Sequence, residues 1–149
     1  MSETKGSRPA PMVLAMIICD AIHQDPATKK STLLGTFSTI NARQFPAVHR
    51  QLALHAALTN GHGQTKIKLV MVGPDETKPP LFSREGMIEF NDPRMVAELN
   101  FVLANLSFST PGEYRLQLFG NEELLMERRL YVVKVGSSAK PESGQTEQK

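Results

Sequence analysis

From residue 12 to residue 135, apolar side chains recur at every second position in short runs, and the breaks between runs carry Gly, Pro, Asn or Asp. This is the pattern of pleated strands with one face turned inward. The first run, residues 12–23, is apolar on both faces, with Leu14, Met16 and Ile18 on one and Val13, Ala15 and Ile17 on the other, which fits a strand covered on both sides. A polar turn from Gln24 to Lys30 leads into residues 31–40 as its hairpin partner, where Gly35 signals a bulge or a close backbone approach. After Phe45-Pro46, residues 51–59 set Leu52, Leu54, Ala56 and Leu58 against Gln51, Ala53, His55 and Ala57. Asn60-Gly61-His62-Gly63 then reverses the chain into residues 65–72, where Lys66 and Lys68 face away from Ile67, Leu69 and Met71. Lysines so placed often protect an edge strand.

A Pro-rich loop over residues 73–80 precedes a short strand at 85–90. Asn91-Asp92-Pro93 has the composition of a helix cap, and a helix here would align Val96, Leu99 and Leu103. Asn100 and Phe101-Val102 suit a helix poorly, so a brief turn followed by a strand with Ala97, Leu99, Phe101 and Leu103 on one face is the expectation. Residues 113–119 and 124–135 make a last hairpin across Gly120-Asn121-Glu122-Glu123. Seven or eight strands with turns about every ten residues predict an all-β, antiparallel two-sheet sandwich. It occupies residues 11–135 as one domain, and the polar tails at 1–10 and 136–149 are expected to be disordered.

Composition narrows the function classes. With 149 residues, 40% of them hydrophobic, the chain can bury a core without disulfides or metals. Its 17 basic and 15 acidic residues are interleaved and leave a net charge of only +2, too little field to steer a polyanion. There is no Trp, and basic residues come at most in pairs such as Lys29-Lys30 and Arg128-Arg129, so nucleic acid is not an expected partner. No run approaches a membrane span, and the apolar stretch ending at Cys19 reads as a strand rather than an export signal. A single cysteine excludes an intrachain disulfide and points to a reducing cytoplasm.

Residues 106–120 carry a more specific pattern. Pro111-Gly112 makes a turn, Tyr114 opens an alternating strand two residues later, and Leu106 stands eight residues before the tyrosine. This spacing is similar to the tyrosine corner of immunoglobulin-like domains, in which the phenol bonds back to upstream backbone and pins the crossing between sheets. Thr110 stands where an acidic residue is usual and Leu116 where a disulfide cysteine would be, which argues against an antibody-type domain but not against the architecture. Over residues 11–135, Cys19-Asp20, Gly35, Phe45-Pro46 and Pro111-Gly112-Glu113-Tyr114 together resemble a family of small bacterial β-sandwich proteins of unknown function. That resemblance implies no catalytic residue.

Candidate chemistry is sparse. Cys19 and His23, four apart on a strand, stand about 13 Å from each other and cannot share a metal. A nucleophilic Cys19 needs a histidine from another strand, and His55 is the candidate; the competing role for Cys19 is an inert packed thiol. His49, His55 and His62 fall on loop, strand and turn, and no metal or cofactor is expected. Asp20, if it continues the face of Ile18 and Ile22, points at the core and needs a partner, for which Arg128 is available unless it runs out to the sheet edge. The resulting expectation is a non-enzymatic interaction or assembly module with a protein partner. A homodimer through a sheet edge or through apolar surface at Val70, Val72, Tyr131, Val133 and Val135 is included. The alternative is a small-ligand-binding protein or hydrolase-type enzyme using Cys19, Asp20 and His55, whereas a sugar platform lacks the exposed aromatics it needs.

Overall fold

The structure is a computed structural model that describes residues 9–136. Of the tails expected to be disordered, residues 1–10 and 136–149, all but residues 9, 10 and 136 lie outside those described. Nine strands form: β1 (Met12–Gln24), β2 (Ser31–Thr36), β3 (Thr39–Ala42), β4 (Ala47–Thr59), β5 (Gly63–Val72), β6 (Phe82–Phe90), β7 (Ala97–Phe108), β8 (Gly112–Gly120) and β9 (Glu123–Lys134). They make a four-stranded sheet in the order β2-β1-β4-β7 and a five-stranded sheet in the order β3-β9-β8-β5-β6. Every pairing is antiparallel except that of β3 with β9, which is parallel.

Alternation puts one interior between the two sheets. Met16 and Ile18 of β1 and Leu52, Leu54, Ala56 and Leu58 of β4 meet Ile67, Leu69 and Met71 of β5, Leu116 and Leu118 of β8, and Leu130 and Val132 of β9 in a single buried cluster. Each leucine-sized side chain so buried contributes about 2 kcal/mol from lost apolar surface.

Three features depart from simple alternation. The strand expected over residues 31–40 divides, which raises the number of strands to nine. Phe37 N donates to Ile18 O of the four-stranded sheet, and one residue later Ser38 O accepts from Tyr131 N of the five-stranded sheet, so the chain changes layers there. Just ahead of the crossing, Gly35 has a positive φ of 69°, and a Cβ on it would stand 2.4 Å from the Asp20 carboxylate. The close approach read from the sequence at this glycine is therefore to a side chain.

In β7 the buried side changes from odd (Ala97, Leu103) to even positions (Leu106, Phe108) across Asn105, whose φ is +55°. Pairing with β4 keeps one register through this point, so no residue is inserted and the change follows from the left-handed backbone at Asn105. β5, finally, lies between β8 and β6 rather than at an edge, so Lys66 and Lys68 are not edge protection. Lys66 instead spans Glu85 and Glu122 at 4.0 and 3.7 Å on the outer face. Residues 93–96 are a turn: Asp92 Oδ1 accepts from Arg94 N, Met95 N donates to Asp92 O, and β7 opens at Ala97.

The two layers are joined at the crossing from β7 to β8. Tyr114 is 2% exposed, its hydroxyl donates to Thr110 O at 2.6 Å, and its ring meets Phe108 edge-on with centroids 4.8 Å apart. Gly112 makes the geometry possible, because its φ is +151° and a Cβ there would lie 2.7 Å from Pro74. Leu106 packs in the same core.

Along the two open sides of the sandwich, arginines at inward positions of the five-stranded sheet reach backbone carbonyls of the other sheet. Arg128 of β9, opposite buried Leu116, donates to Met16 O. Arg84 of β6, opposite buried Leu69, donates to Val102 O at a long 3.5 Å.

Tyr114→Phe keeps the ring contact and removes only the hydroxyl bond. It is expected to lower unfolding free energy by about 1 kcal/mol, read as a lower urea midpoint with an unchanged slope. No change in midpoint would mean that the bond does not hold the corner.

Candidate interaction surface

Cys19, Asp20 and His55 all lie in the four-stranded sheet, but they do not assemble into a reactive site. Cys19 stands opposite Ala53 and Ile17 opposite His55, so thiol and imidazole share the outer face two residues out of register. His55 turns toward β7, where its Nδ1 lies 2.8 Å from Asn100 Oδ1. With that oxygen accepting, Nδ1 carries the proton and Nε2 is left as an acceptor. The Cys19 thiol is fully buried and donates to Ala21 O at 3.4 Å. Burial pushes the thiol up from its ordinary value, only partly offset by hydrogen bonds with the Leu34 and Ala21 backbone. At neutral pH such a group holds less thiolate than a free cysteine, the reverse of what an activated nucleophile needs.

Asp20 corrects the expectation drawn from alternation, because its side chain is exposed and not in the core. By that residue β1 has run past the opposing sheet: Ile22 is only half-buried, Gln24 is exposed, and β2 contributes no buried residue. The carboxylate lies against Gly35, while the Asp20 carbonyl accepts from Gln51 Nε2 at 3.1 Å. Arg128 is not its partner, being committed to Met16 O. Among the described residues no three His, Cys, Asp or Glu side chains are grouped to hold a metal ion.

What the sheet does present is an almost uncharged exterior. By register, the outward positions are Ala15, Ile17, Cys19 and Ala21 on β1, Leu34 and Thr36 on β2, Gln51, Ala53, His55 and Ala57 on β4, and Glu98, Asn100, Val102 and Ala104 on β7. Glu98 alone among them is charged. Leu34 and Val102 are about half exposed, at 49% and 50%, although they are large and apolar. The exterior of the five-stranded sheet is the opposite. There Arg115 pairs with Glu76 and Glu127, Arg129 with Glu113, and Lys66 with two glutamates. The apolar surface expected at Val70, Val72, Tyr131, Val133 and Val135 is broken up on that charged side: Val70 is buried, and Tyr131 and Val133 are partly exposed.

The fold is thus a two-sheet immunoglobulin-like sandwich with one ion-paired face and one nearly uncharged face. Residues 14–133 match the Family of unknown function (DUF6941), and the chain belongs to that family. No curated protein matches it.

Solved structures that resemble it do so at low identity. The alkylpurine DNA glycosylase AlkC of Pseudomonas fluorescens, bound to DNA with an abasic site analog, aligns at 9% identity and TM-score 0.46 over 79% of this chain and 30% of that one. A β-glucosidase from Listeria innocua in complex with glucose aligns at 9% and 0.47, over 82% of this chain and 16% of its own. An immunoglobulin-like protein from Pseudomonas aeruginosa aligns at 15% and 0.39, over 85% of this chain and 99% of its own. This chain therefore spans less than a third of the first two proteins. No helix among the described residues is long and apolar enough to cross a membrane.

Leu34, Asn100 and Val102 have no place on this surface in the sequence, where Asn100 and Val102 stand out only as poor helix formers. Their signal is weak, since they join one face only once the strand order β2-β1-β4-β7 is known.

The raised thiol of Cys19 has two measurable consequences. Reaction with a chromogenic disulfide at neutral pH is expected to be slow in the native protein and ordinary in denaturant, whereas fast native reaction would restore the nucleophile. Because the folded value lies above the unfolded one, the thiol's contribution to stability is complete below about pH 8.5. It declines as pH rises through the folded value.

Proposed function

We propose that this protein is a non-enzymatic interaction module that self-associates through the outer face of its four-stranded sheet. One observation carries the reading: across the part of the sheet exterior that runs from Gln51 to Ala57 on β4 and over its neighbours, Glu98 is the only charge, with Arg50 at the end of that span and Leu34 and Val102 half exposed on it. A lone antiparallel sandwich keeps one face of each sheet wet and polar. The ion-paired exterior of the other sheet fits that rule, and this face does not.

A second copy suits it because the face is nearly uncharged, and an isologous contact needs no complementary charge to be supplied elsewhere. Four strands about 4.8 Å apart, each offering about seven residues, give on the order of 450 Å² per copy. Two copies thus bury about 1,000 Å² including side-chain relief, the lower end for a specific interface. Association is therefore expected in the micromolar range. Supporting a binding role over chemistry, Cys19 is sealed and its thiol pushed up, and His55 is engaged by Asn100. The lone buried thiol also suits a reducing cytoplasm as the site of action.

Sedimentation velocity on the full chain at increasing micromolar concentration is expected to show dimer. Leu34→Glu and Val102→Glu, both at exposed positions, should each give monomer with an unchanged thermal midpoint. Wild-type protein that stays monomeric throughout, or charged variants that still dimerise, would overturn this reading.

A further inference from the structure

At the opposite side of the molecule from Arg128, the edges of β6 and β7 stand beside each other with a cleft of about 110 Å³ between them. The inward positions of β6 are Phe82, Arg84, Gly86, Ile88 and Phe90, set by pairing with Met71, Leu69, Ile67, Thr65 and Gly63 of β5. At Gly86 the strand puts nothing into the interior, and a Cβ built there would meet no atom within 4 Å. The space is floored by Ile67, walled by Ile88, Leu99 and Phe101, and rimmed by Met87, Arg84 and Glu85.

Edge protection is the ordinary account of an inward arginine on an edge strand. It explains Arg84 and leaves Gly86 unexplained. A glycine inside a strand weakens it, and here it also leaves an apolar hollow that any small aliphatic side chain would fill without a clash. The cleft opens to solvent along the exposed Arg84, Gly86 and Met87, so a short hydrocarbon chain entering it would release water from Ile67, Leu99 and Phe101. The cleft's cation is also under-used: Arg84 has only the 3.5 Å contact to Val102 O, and no carboxylate lies within ion-pair distance of it among the described residues. Glu85, the acid at the rim, is directed to Lys66 on the outer face. An apolar hollow ending at a cation without a counter-ion has the form of a site for an amphiphilic anion.

We propose that the β6–β7 cleft binds a short aliphatic carboxylate, its hydrocarbon chain lying over Gly86 against Ile67, Leu99 and Phe101 and its carboxylate meeting the Arg84 guanidinium. Arg84 then exchanges a long bond to a backbone carbonyl for a charge-assisted one, which is shorter and stronger. The hollow admits only a few carbons, so pentanoate and hexanoate are the sizes that fit, and long-chain acids are excluded unless they protrude between the strands. The site lies between the two sheet edges and so is separate from the outer face proposed for self-association.

The test is a methyl and amide NMR titration of the full chain with pentanoate, against pentanol and pentylamine. Saturable shifts are expected at Ile67, Ile88, Leu99 and Phe101, with pentanoate bound about tenfold tighter than pentanol. Gly86→Val should abolish the shifts while keeping or raising the thermal midpoint, and Gly86→Ala, the milder filling, should weaken them. Arg84→Met should bring pentanoate down to the level of pentanol. Absence of saturable shifts at millimolar pentanoate, equal binding in both Gly86 variants, or pentanoate no tighter than pentanol would each overturn the proposal. Binding of a capped apolar hexapeptide where pentanoate fails would overturn it in favour of strand addition at the β6 edge.

Discussion

A sandwich is two sheets that share an interior but no backbone hydrogen bonds, so the segments that pass from one layer to the other decide how the layers sit. In this protein the crossing from β7 to β8 is fixed by one phenol: Tyr114 bonds back to Thr110 while its ring fills the core beside Phe108. The bond spans four residues of a single turn, and the ring ties that turn to the last residue of β7. Tyr114 pairs with Leu130 of β9, and with its ring held inward, period-two alternation turns Leu116 and Leu118 to the same interior.

This junction is also the most legible part of the chain, because its determinants are local. Pro111, Gly112 and Tyr114 lie within four residues, and a turn followed by an alternating strand needs no long-range information. The strands themselves are legible for the same reason. The layer change at Phe37-Ser38 is not, since it depends on a parallel pairing of β3 with β9 some ninety residues away in sequence. Asp20 misleads because period-two reasoning assumes a sheet facing every residue, and β1 outruns the sheet opposite. The change of parity at Asn105 shows the complementary failure: a single left-handed residue inverts the pattern, and Leu106 and Phe108 remain buried although they sit on the formerly outward side.

The candidate surfaces were less legible than the fold. Leu34, Ala53 and Val102 are apolar residues in three separate strands and become one face only through topology. Gly86 falls inside the short strand expected over residues 85–90. The clue present in the sequence was Arg84-Glu85-Gly86-Met87-Ile88, in which the inward triplet Arg84, Gly86 and Ile88 offers a cation, a gap and an apolar wall in succession.

Both arginines that span the sides of the sandwich take main-chain oxygens, at positions 16 and 102, as their acceptors. Every amino acid supplies a carbonyl, so these cross-layer ties do not depend on which side chain occupies either acceptor position. The ties themselves thus place no demand on the side chains at 16 and 102, which answer instead to the core at Met16 and to the outer face at Val102, whereas each arginine has no equivalent substitute, lysine included, that offers a planar multi-donor head at the same reach.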